Sequence, residues 1–221
     1  MASNLGLLIR KHTVSCTLML TFLVVMAVML LLSLSDAFLD LKRARADPVI
    51  NNINTGDTPT AVAYDSDNGY TYITNADSNI VSVIDGSTNT VIKNIHVGIQ
   101  PRGIAFDSKN GNLYVANEDS YTISIINGLA NTVIKNIPVG WSPLGVAFNP
   151  ANGNVYVTSG TVYVIDGSTN TVIKNIPVGL QPAAVVFDSD SGNIYVTNQY
   201  SNTISVIDGS TNTVIDTISK S

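Results

Sequence analysis

Two short acidic loops offer the first chemistry in this sequence. Residues 65–69 (DSDNG) and 188–192 (DSDSG) resemble the start of a calcium-binding loop. A complete loop of that kind needs a bidentate Glu at its twelfth position, where Ala76 and Gln199 stand instead. Asp, Asn, Ser and Gly are also the usual residues of hairpin turns. We therefore interpret both loops as turns and expect no metal site.

Nothing in the sequence has the spacing of a catalytic centre. The histidines are His12 and His96, and Cys16 is the single cysteine. Three Asp-Gly pairs, the first at residues 85–86, recur at regular intervals, as turn residues do. Because no general base or nucleophile stands out, we predict that the protein is not an enzyme and that it uses no cofactor.

A repeat of about forty residues organises most of the chain. Its tyrosines are spaced by 42, 42 and 39 residues, and so are its prolines. The tyrosines are Tyr72, Tyr114, Tyr156 and Tyr195, and the prolines are Pro59, Pro101, Pro143 and Pro182. A unit of this length cannot bury its apolar faces alone, so copies must stack on one another.

Each repeat contains four strand signals. In the second repeat these are Ile104–Phe106, Leu113–Ala116, Ile123–Ile126 and Thr132–Ile137, all rich in β-branched or aromatic residues. The strands are nearly continuous in apolar character, which indicates that both faces of each sheet are covered. We predict an all-β fold of stacked, four-stranded antiparallel sheets.

Short phrases within the repeats resemble a known family. YITN at 72–75, YVAN at 114–117 and YVTN at 195–198, with VIDGSTNTVI at 83–92, are similar to the YVTN β-propeller repeat. The resemblance covers residues 49–221. It implies a β-propeller of the kind found in surface-layer and other cell-envelope proteins. Related propellers include binding scaffolds and a few enzymes, so the resemblance implies fold and place more than activity.

The repeat count predicts a partial propeller. Four blades are expected, at about 55–97, 98–139, 140–178 and 179–221, and Val49–Ile53 reads as one extra strand before them. Three arrangements remain open: a tight four-bladed ring, an open arc, or two chains that close an eight-bladed ring. We favour the arc, with self-association as a means of closing it.

The N-terminal part differs in chemistry from the repeats. A basic segment (1–15) precedes an apolar stretch (16–35), and a linker (36–48) follows. The uncharged run at 16–34 is long enough to be a transmembrane helix, although a signal-peptide core is the alternative. Either would export the repeats. After residue 46 the chain has six basic and fourteen acidic residues, a net charge of −8, which disfavours nucleic acid as a partner.

Differences among the four repeats fall mainly in two loop classes. These are the loops between strands two and three and the segments that approach strand one, which emerge at the same end of an up-and-down sheet. Aromatic and Arg side chains there are typical of binding hot spots. The candidate recognition residues are Arg102, Glu118, Asp119, Tyr121, Trp141, Gln199 and Tyr200. The alternative is drift after duplication, with Trp141 packed between blades.

The sequence therefore predicts a non-catalytic, exported scaffold with a protein or cell-envelope partner. The alternative is a ligand- or cofactor-binding propeller related to extracytoplasmic enzymes.

Overall fold

The computed structural model describes Met29 and residues 51–220, and its elements are all strands. They follow one another in up-and-down order. They are β1 (Pro59–Asp65), β2 (Tyr70–Asn75), β3 (Ile80–Asp85), β4 (Thr90–His96), β5 (Pro101–Asp107), β6 (Asn112–Asn117), β7 (Thr122–Asn127), β8 (Thr132–Pro138), β9 (Val146–Asn149), β10 (Asn154–Ser159), β11 (Thr161–Asp166), β12 (Thr171–Ile176), β13 (Pro182–Phe187), β14 (Asn193–Asn198), β15 (Thr203–Asp208) and β16 (Thr213–Ser219).

The strands form four antiparallel sheets, each made of four consecutive strands. We number them sheet 1 (β1–β4), sheet 2 (β5–β8), sheet 3 (β9–β12) and sheet 4 (β13–β16). The first strand of each sheet packs on the first strand of the next, β1 on β5, β5 on β9 and β9 on β13. Four such stacked sheets fit a β-propeller.

Three hydrophobic cores lie between consecutive sheets. The core between sheets 1 and 2 joins Tyr72 and Val81 to Leu113 and Ile126, and equivalent cores follow at the next two junctions. Tyr72, Tyr114 and Tyr156 are 0% exposed. Because both faces of the inner sheets are buried, their strands need apolar residues at nearly every position, as the sequence shows.

Each core contains one fully buried tyrosine, whose hydroxyl is hydrogen-bonded to the next sheet. Tyr72 Oη donates to Gly128 O (3.1 Å) and lies 2.7 Å from Asn131 Oδ1, both in the next sheet. Tyr114 and Tyr156 make the same bonds one and two sheets later. Burial raises the pKa of Tyr72 and of Tyr114 to about 12, so these hydroxyls remain donors at neutral pH.

The Asp-Gly pairs serve these junctions as well as the turns. The positive φ of the β3–β4 turn falls on Asn89 (54°), not on Gly86. A Cβ added at Gly167 of the second Asp-Gly pair would lie 2.5 Å from Asp107 Oδ2 in sheet 2 and 2.7 Å from Gly153 O in its own sheet; Gly128, which follows Asn127, has the same contacts with Asp65 Oδ2 and Gly111 O. Glycine is therefore required there by close approach of the preceding sheet and of the adjacent turn.

The predicted fold class is wrong in its N-terminal elements. Residues 51–55 form no strand, so the described part of the predicted extra strand Val49–Ile53 is not a strand. Val49 and Ile50 lie outside the described residues. A strand needs a neighbour for its backbone hydrogen bonds, and the fourth strand of each sheet is supplied by its own repeat.

The predicted N-terminal hydrophobic helix is not among the elements either. Of residues 16–35 only Met29 is described, and residues 1–15 and 36–48 lie outside the described part. No helix within the described residues has the length and apolar character needed to cross a membrane.

Candidate recognition face

The two variable loop classes lie at the same end of the sheets and are bonded to each other. Glu118 N donates to Gln100 O (2.9 Å), and Gln199 N donates to Gln181 O (2.9 Å). We call this end the loop face. It consists of residues 57–58, 76–79, 99–102, 118–121, 141–142, 180–181 and 199–202. The backbone bonds hold its side chains on rigid sheets.

An aromatic pair crosses from sheet 2 to sheet 3 on the loop face. The ring centroids of Tyr121 and Trp141 are 5.2 Å apart, and the rings are tilted by 43°. Trp141 is 77% exposed and Tyr121 is 43% exposed. Trp141 therefore does not pack between the sheets; it leans on Tyr121 and presents most of its indole to solvent.

Tyr121 adopts a backbone conformation that its residue type disfavours. Its φ is 55°, and the equivalent residues in sheets 1 and 4 are Asn79 (φ 57°) and Asn202 (φ 52°). Asn tolerates this left-handed region far better than Tyr does. The aromatic ring thus stands at a strained position, as binding residues often do.

An ion pair lies beside the aromatic pair. Arg102 Nε is 2.6 Å from Glu118 Oε2, and Ser142 Oγ donates to Glu118 Oε1 over 3.0 Å. The two side chains are 38% and 24% exposed. Glu118 therefore links the first strand of sheet 2 to the segment that follows Trp141, and it fixes the direction of the Arg102 guanidinium.

Asp77 was missed by the sequence analysis. Gln100 Nε2 donates to Asp77 Oδ1 over 3.0 Å, and Thr58 Oγ1 also bonds its carboxylate. The Thr58 hydroxyl, then Gln100 and the charge of Arg102, lower the pKa of Asp77. Asp77 and Asp119 occupy the same place in the loops of consecutive repeats, and this equivalence was the available signal.

The remaining predicted residues are less clustered. Asp119 is exposed, and its backbone N donates to Ile99 O (3.2 Å). Gln199 and Tyr200 are exposed on sheet 4, one sheet beyond Trp141, and Tyr200 is 74% exposed. The structure thus brings together Arg102, Glu118, Tyr121 and Trp141, and it leaves Gln199 and Tyr200 as a second exposed site on the same face.

The loop face is acidic around a single cation. Asp57, Asp77, Glu118 and Asp119 belong to it, against Arg102. Within residues 51–220, no group of three or more His, Cys, Asp or Glu residues is placed to hold a metal ion. Chemically, the face offers flat aromatic area, an oriented guanidinium and the exposed carboxylates of Asp57 and Asp119.

The calcium-like loops act as turns. Asp67 N donates to Asp65 Oδ1 (2.9 Å), Asn68 Nδ2 donates to Asp65 Oδ2 (2.7 Å), and Gly69 has φ 77°. Asp65 and its equivalent Asp107 are each 1% exposed, and burial raises the pKa of both carboxyls. They lie at the end of the sheets opposite the loop face.

Many solved structures share this fold, and 1376 chains match significantly. One is the hydrazine synthase of Kuenenia stuttgartiensis, which superposes with a TM-score of 0.68 and is 22% identical over 79% of this chain and 52% of that chain. The chain spans about half the length of that protein, and at this identity the likeness shows the fold alone. A search of curated proteins finds no significant match. The model of the YNCE-like β-propeller family matches residues 48–219, and the chain belongs to that family.

Proposed function

We propose that this β-propeller is a non-catalytic scaffold of the cell envelope that recognises a protein partner through its loop face. The fold supports a scaffold or binding role. The observation that carries the proposal is the exposed Tyr121–Trp141 pair, held at a strained backbone position.

The aromatic pair has the properties of a hot spot. Trp and Tyr are the residues most enriched at the energetic centres of protein interfaces, since they bury a large area with few rotatable bonds. Trp141 is 77% exposed in the chain alone, so a partner that covers it would bury most of the indole surface. Arg102 stands beside it with its guanidinium oriented by Glu118.

The partner should carry basic groups around an apolar centre. The loop face carries the carboxylates of Asp57, Asp77 and Asp119 in addition to the Arg102–Glu118 ion pair. Lys or Arg side chains of a partner would meet these carboxylates at the rim, where such pairs mainly determine orientation and association rate. The net charge of −8 after residue 46 extends this negative field beyond the loop face, which also favours a basic partner.

The envelope location rests on the sequence. The uncharged run at 16–34 is long enough for a membrane anchor or an export signal, and the repeats contain no cysteine that export would oxidise. The proposal therefore includes display of the sheets outside the cytoplasm.

Photo-cross-linking in intact cells tests the proposal. A photoreactive phenylalanine analogue replaces Trp141 in one variant and Leu129 in the control. Leu129 is 90% exposed but lies at the opposite end of the sheets. We expect a discrete protein adduct in the envelope fraction from position 141 and none from 129. Recovery of the chain in the cytosol alone, or equal adducts from both positions, would contradict the proposal.

A titration with small molecules tests the alternative function, ligand binding. If Trp141 fluorescence saturates on titration of the purified chain with sugars or divalent ions, the loop face binds a small ligand instead of a protein.

A further inference from the structure

Every internal junction between sheets has two unlike halves. The earlier sheet supplies a tyrosine hydroxyl, and the later sheet supplies a glycine carbonyl and an asparagine Oδ1. Tyr114 Oη lies 3.4 Å from Gly167 O and 2.6 Å from Asn170 Oδ1. The pattern holds at all three junctions of the described chain. The junction is therefore directional, with a donor half and an acceptor half.

Sheet 4 presents an uncovered donor half. Tyr195 stands at the register position of the three buried tyrosines but is only partly buried. Beside it, Val186 is 57% and Ile218 is 47% exposed. An open cavity of about 410 Å³ on this sheet is lined by Thr197, Ile204 and Ile218 among others. Within residues 51–220 no further sheet packs against this face.

Sheet 1 presents an uncovered acceptor half. Gly86 and Asn89 are the equivalents in sheet 1 of Gly128 and Asn131 in sheet 2. The oxygens of Gly128 and Asn131 accept hydrogen bonds from Tyr72 of sheet 1. Val62 and Tyr64 are 62% and 60% exposed, whereas Ile104, the equivalent of Val62 in sheet 2, is 7% exposed. The acceptor groups and the apolar residues of a junction are thus both present, without a donor sheet among the described residues.

We propose that a second copy of this chain occupies these two faces, with sheet 4 of one copy docked on sheet 1 of the other. Tyr195 then donates to Gly86 O and Asn89 Oδ1 of the second copy, and Val62 and Tyr64 enter the apolar face around Val206 and Ile218. This contact repeats the chemistry of the internal junctions, which is why a copy of the chain is the occupant that fits. The proposal is independent of the recognition function.

Two such contacts close a pair of chains. A head-to-tail interface gives a closed ring when the rotation per unit is right. With the four sheets of residues 51–220 in each copy, the closed pair is a ring of eight sheets, and both uncovered faces of both copies are buried in it.

One residue difference between sheet 4 and the other sheets makes this contact weaker than an internal junction. Lys93, Lys135 and Lys174 each donate to a backbone carbonyl of the following sheet, at 3.4, 2.7 and 3.2 Å. Asp216 occupies their position in sheet 4. A docked sheet 1 therefore receives no lysine bond, and the association should be reversible and dependent on concentration.

Disulfide trapping tests the contact directly. Adjacent sheets approach most closely at one register position, where a Cβ added at Gly103 would contact Leu144 O and lie 3.2 Å from Gly145 Cα of the next sheet. Cysteines at the equivalent positions of two docked sheets would therefore come within the Cα–Cα range of a disulfide. Ala184 and Ala61 hold the same register positions on the two uncovered faces. The full-length chain with Ala184→Cys and Ala61→Cys, in a Cys16→Ser background and a mild detergent, is oxidised and run without reductant.

The proposal predicts a cross-linked dimer. The matched control, Ala184→Cys with Ile92→Cys on an outer strand, should stay monomeric. An intramolecular bridge would show that the chain closes on itself, and the absence of any bridge would show that the two faces do not meet. Either result overturns the proposal.

Native mass spectrometry of point variants gives a second readout. The unmodified chain should appear at twice its mass of 23.4 kDa. Val62→Glu places a charge in the contact and should weaken association by about tenfold or more. Ile92→Glu, on an exposed outer strand, should not. Equal dimerisation of Val62→Glu and the unmodified chain, or a monomer at all concentrations, would contradict the proposal.

Discussion

Tyr114 in sheet 2 and Asn170 in sheet 3 are joined by a hydrogen bond of 2.6 Å between Oη and Oδ1, at the edge of an apolar core. A buried polar group is stabilising only when it is paired, so this bond fixes how one sheet is placed on the next. The regular recurrence of the bond explains why tyrosine marks the repeat.

Removal of this hydroxyl should destabilise the fold. Tyr114→Phe leaves Asn170 Oδ1 without its donor, and we expect the free energy of unfolding to fall by about 1–2 kcal/mol. Tyr195→Phe is the matched control, since Tyr195 has no following sheet among the described residues. Urea unfolding at concentrations where the chain is monomeric measures both. Equal losses would show that the inter-sheet bond is not the cause.

The turn glycines should differ in tolerance from sheet to sheet. Gly128→Ala forces a Cβ to within 2.5 Å of Asp65 Oδ2, whereas a Cβ at Gly86 meets only Gly69 O, at 3.3 Å. We expect Gly128→Ala to cost about 2 kcal/mol or more and Gly86→Ala to cost clearly less. Thermal unfolding of the two variants measures the difference. Similar costs would mean that the glycines serve the turn and not the junction.

The strands and their stacking could be predicted from the sequence because they depend on local residue types. The predicted strand Leu113–Ala116 lies inside β6, which also includes Asn112 and Asn117. Those polar ends could not be assigned locally, since Asn117 is buried by contacts with Gly98, Thr122 and Ser124 elsewhere in the repeat. Val49–Ile53 was misassigned because strand propensity does not supply a pairing partner.

The loop face was only partly predictable. The variation between repeats located the candidate residues, since the two loop classes must emerge at one end. The Tyr121–Trp141 pair joins two different sheets, and no sequence spacing gives that distance. Asp77 was missed because its partners Thr58 and Gln100 come from other segments of the loop face.

The buried and exposed aspartates should respond oppositely to pH. Burial raises the pKa of Asp107, so the folded chain binds more protons there and stability falls as pH rises through the window above the unfolded value. Asp107→Asn, which reproduces Asn149 of sheet 3, should therefore raise stability at pH 7, with a smaller gain at pH 4.

Asp166 is the control for this pH dependence. The Ser168 hydroxyl and backbone lower the pKa of Asp166, so its contribution is present above the unfolded value and is lost as pH falls. Asp166→Asn should destabilise more at pH 7 than at pH 3. Urea unfolding across this pH range measures both variants, and parallel pH profiles would contradict the assignment.

Tyr121 should trade stability for binding. Tyr121→Asn installs the residue found at the same position in sheets 1 and 4, and it relieves the strain of φ 55°. We expect a gain of about 0.5–1 kcal/mol in the free energy of unfolding together with weaker partner capture. A loss of stability, or unchanged capture, would separate the strained backbone from recognition.

The most direct measurement is the capture of the cross-linked envelope partner by purified chains that differ only at position 141. Trp141→Ala should weaken capture by about thirtyfold, as for a hot-spot tryptophan, and leave the unfolding free energy within about 0.5 kcal/mol. Leu129→Ala removes an exposed residue at the opposite end of the sheets and should have little effect. Recognition through the loop face predicts that difference. Equal capture by Trp141→Ala, Leu129→Ala and the unmodified chain would contradict it.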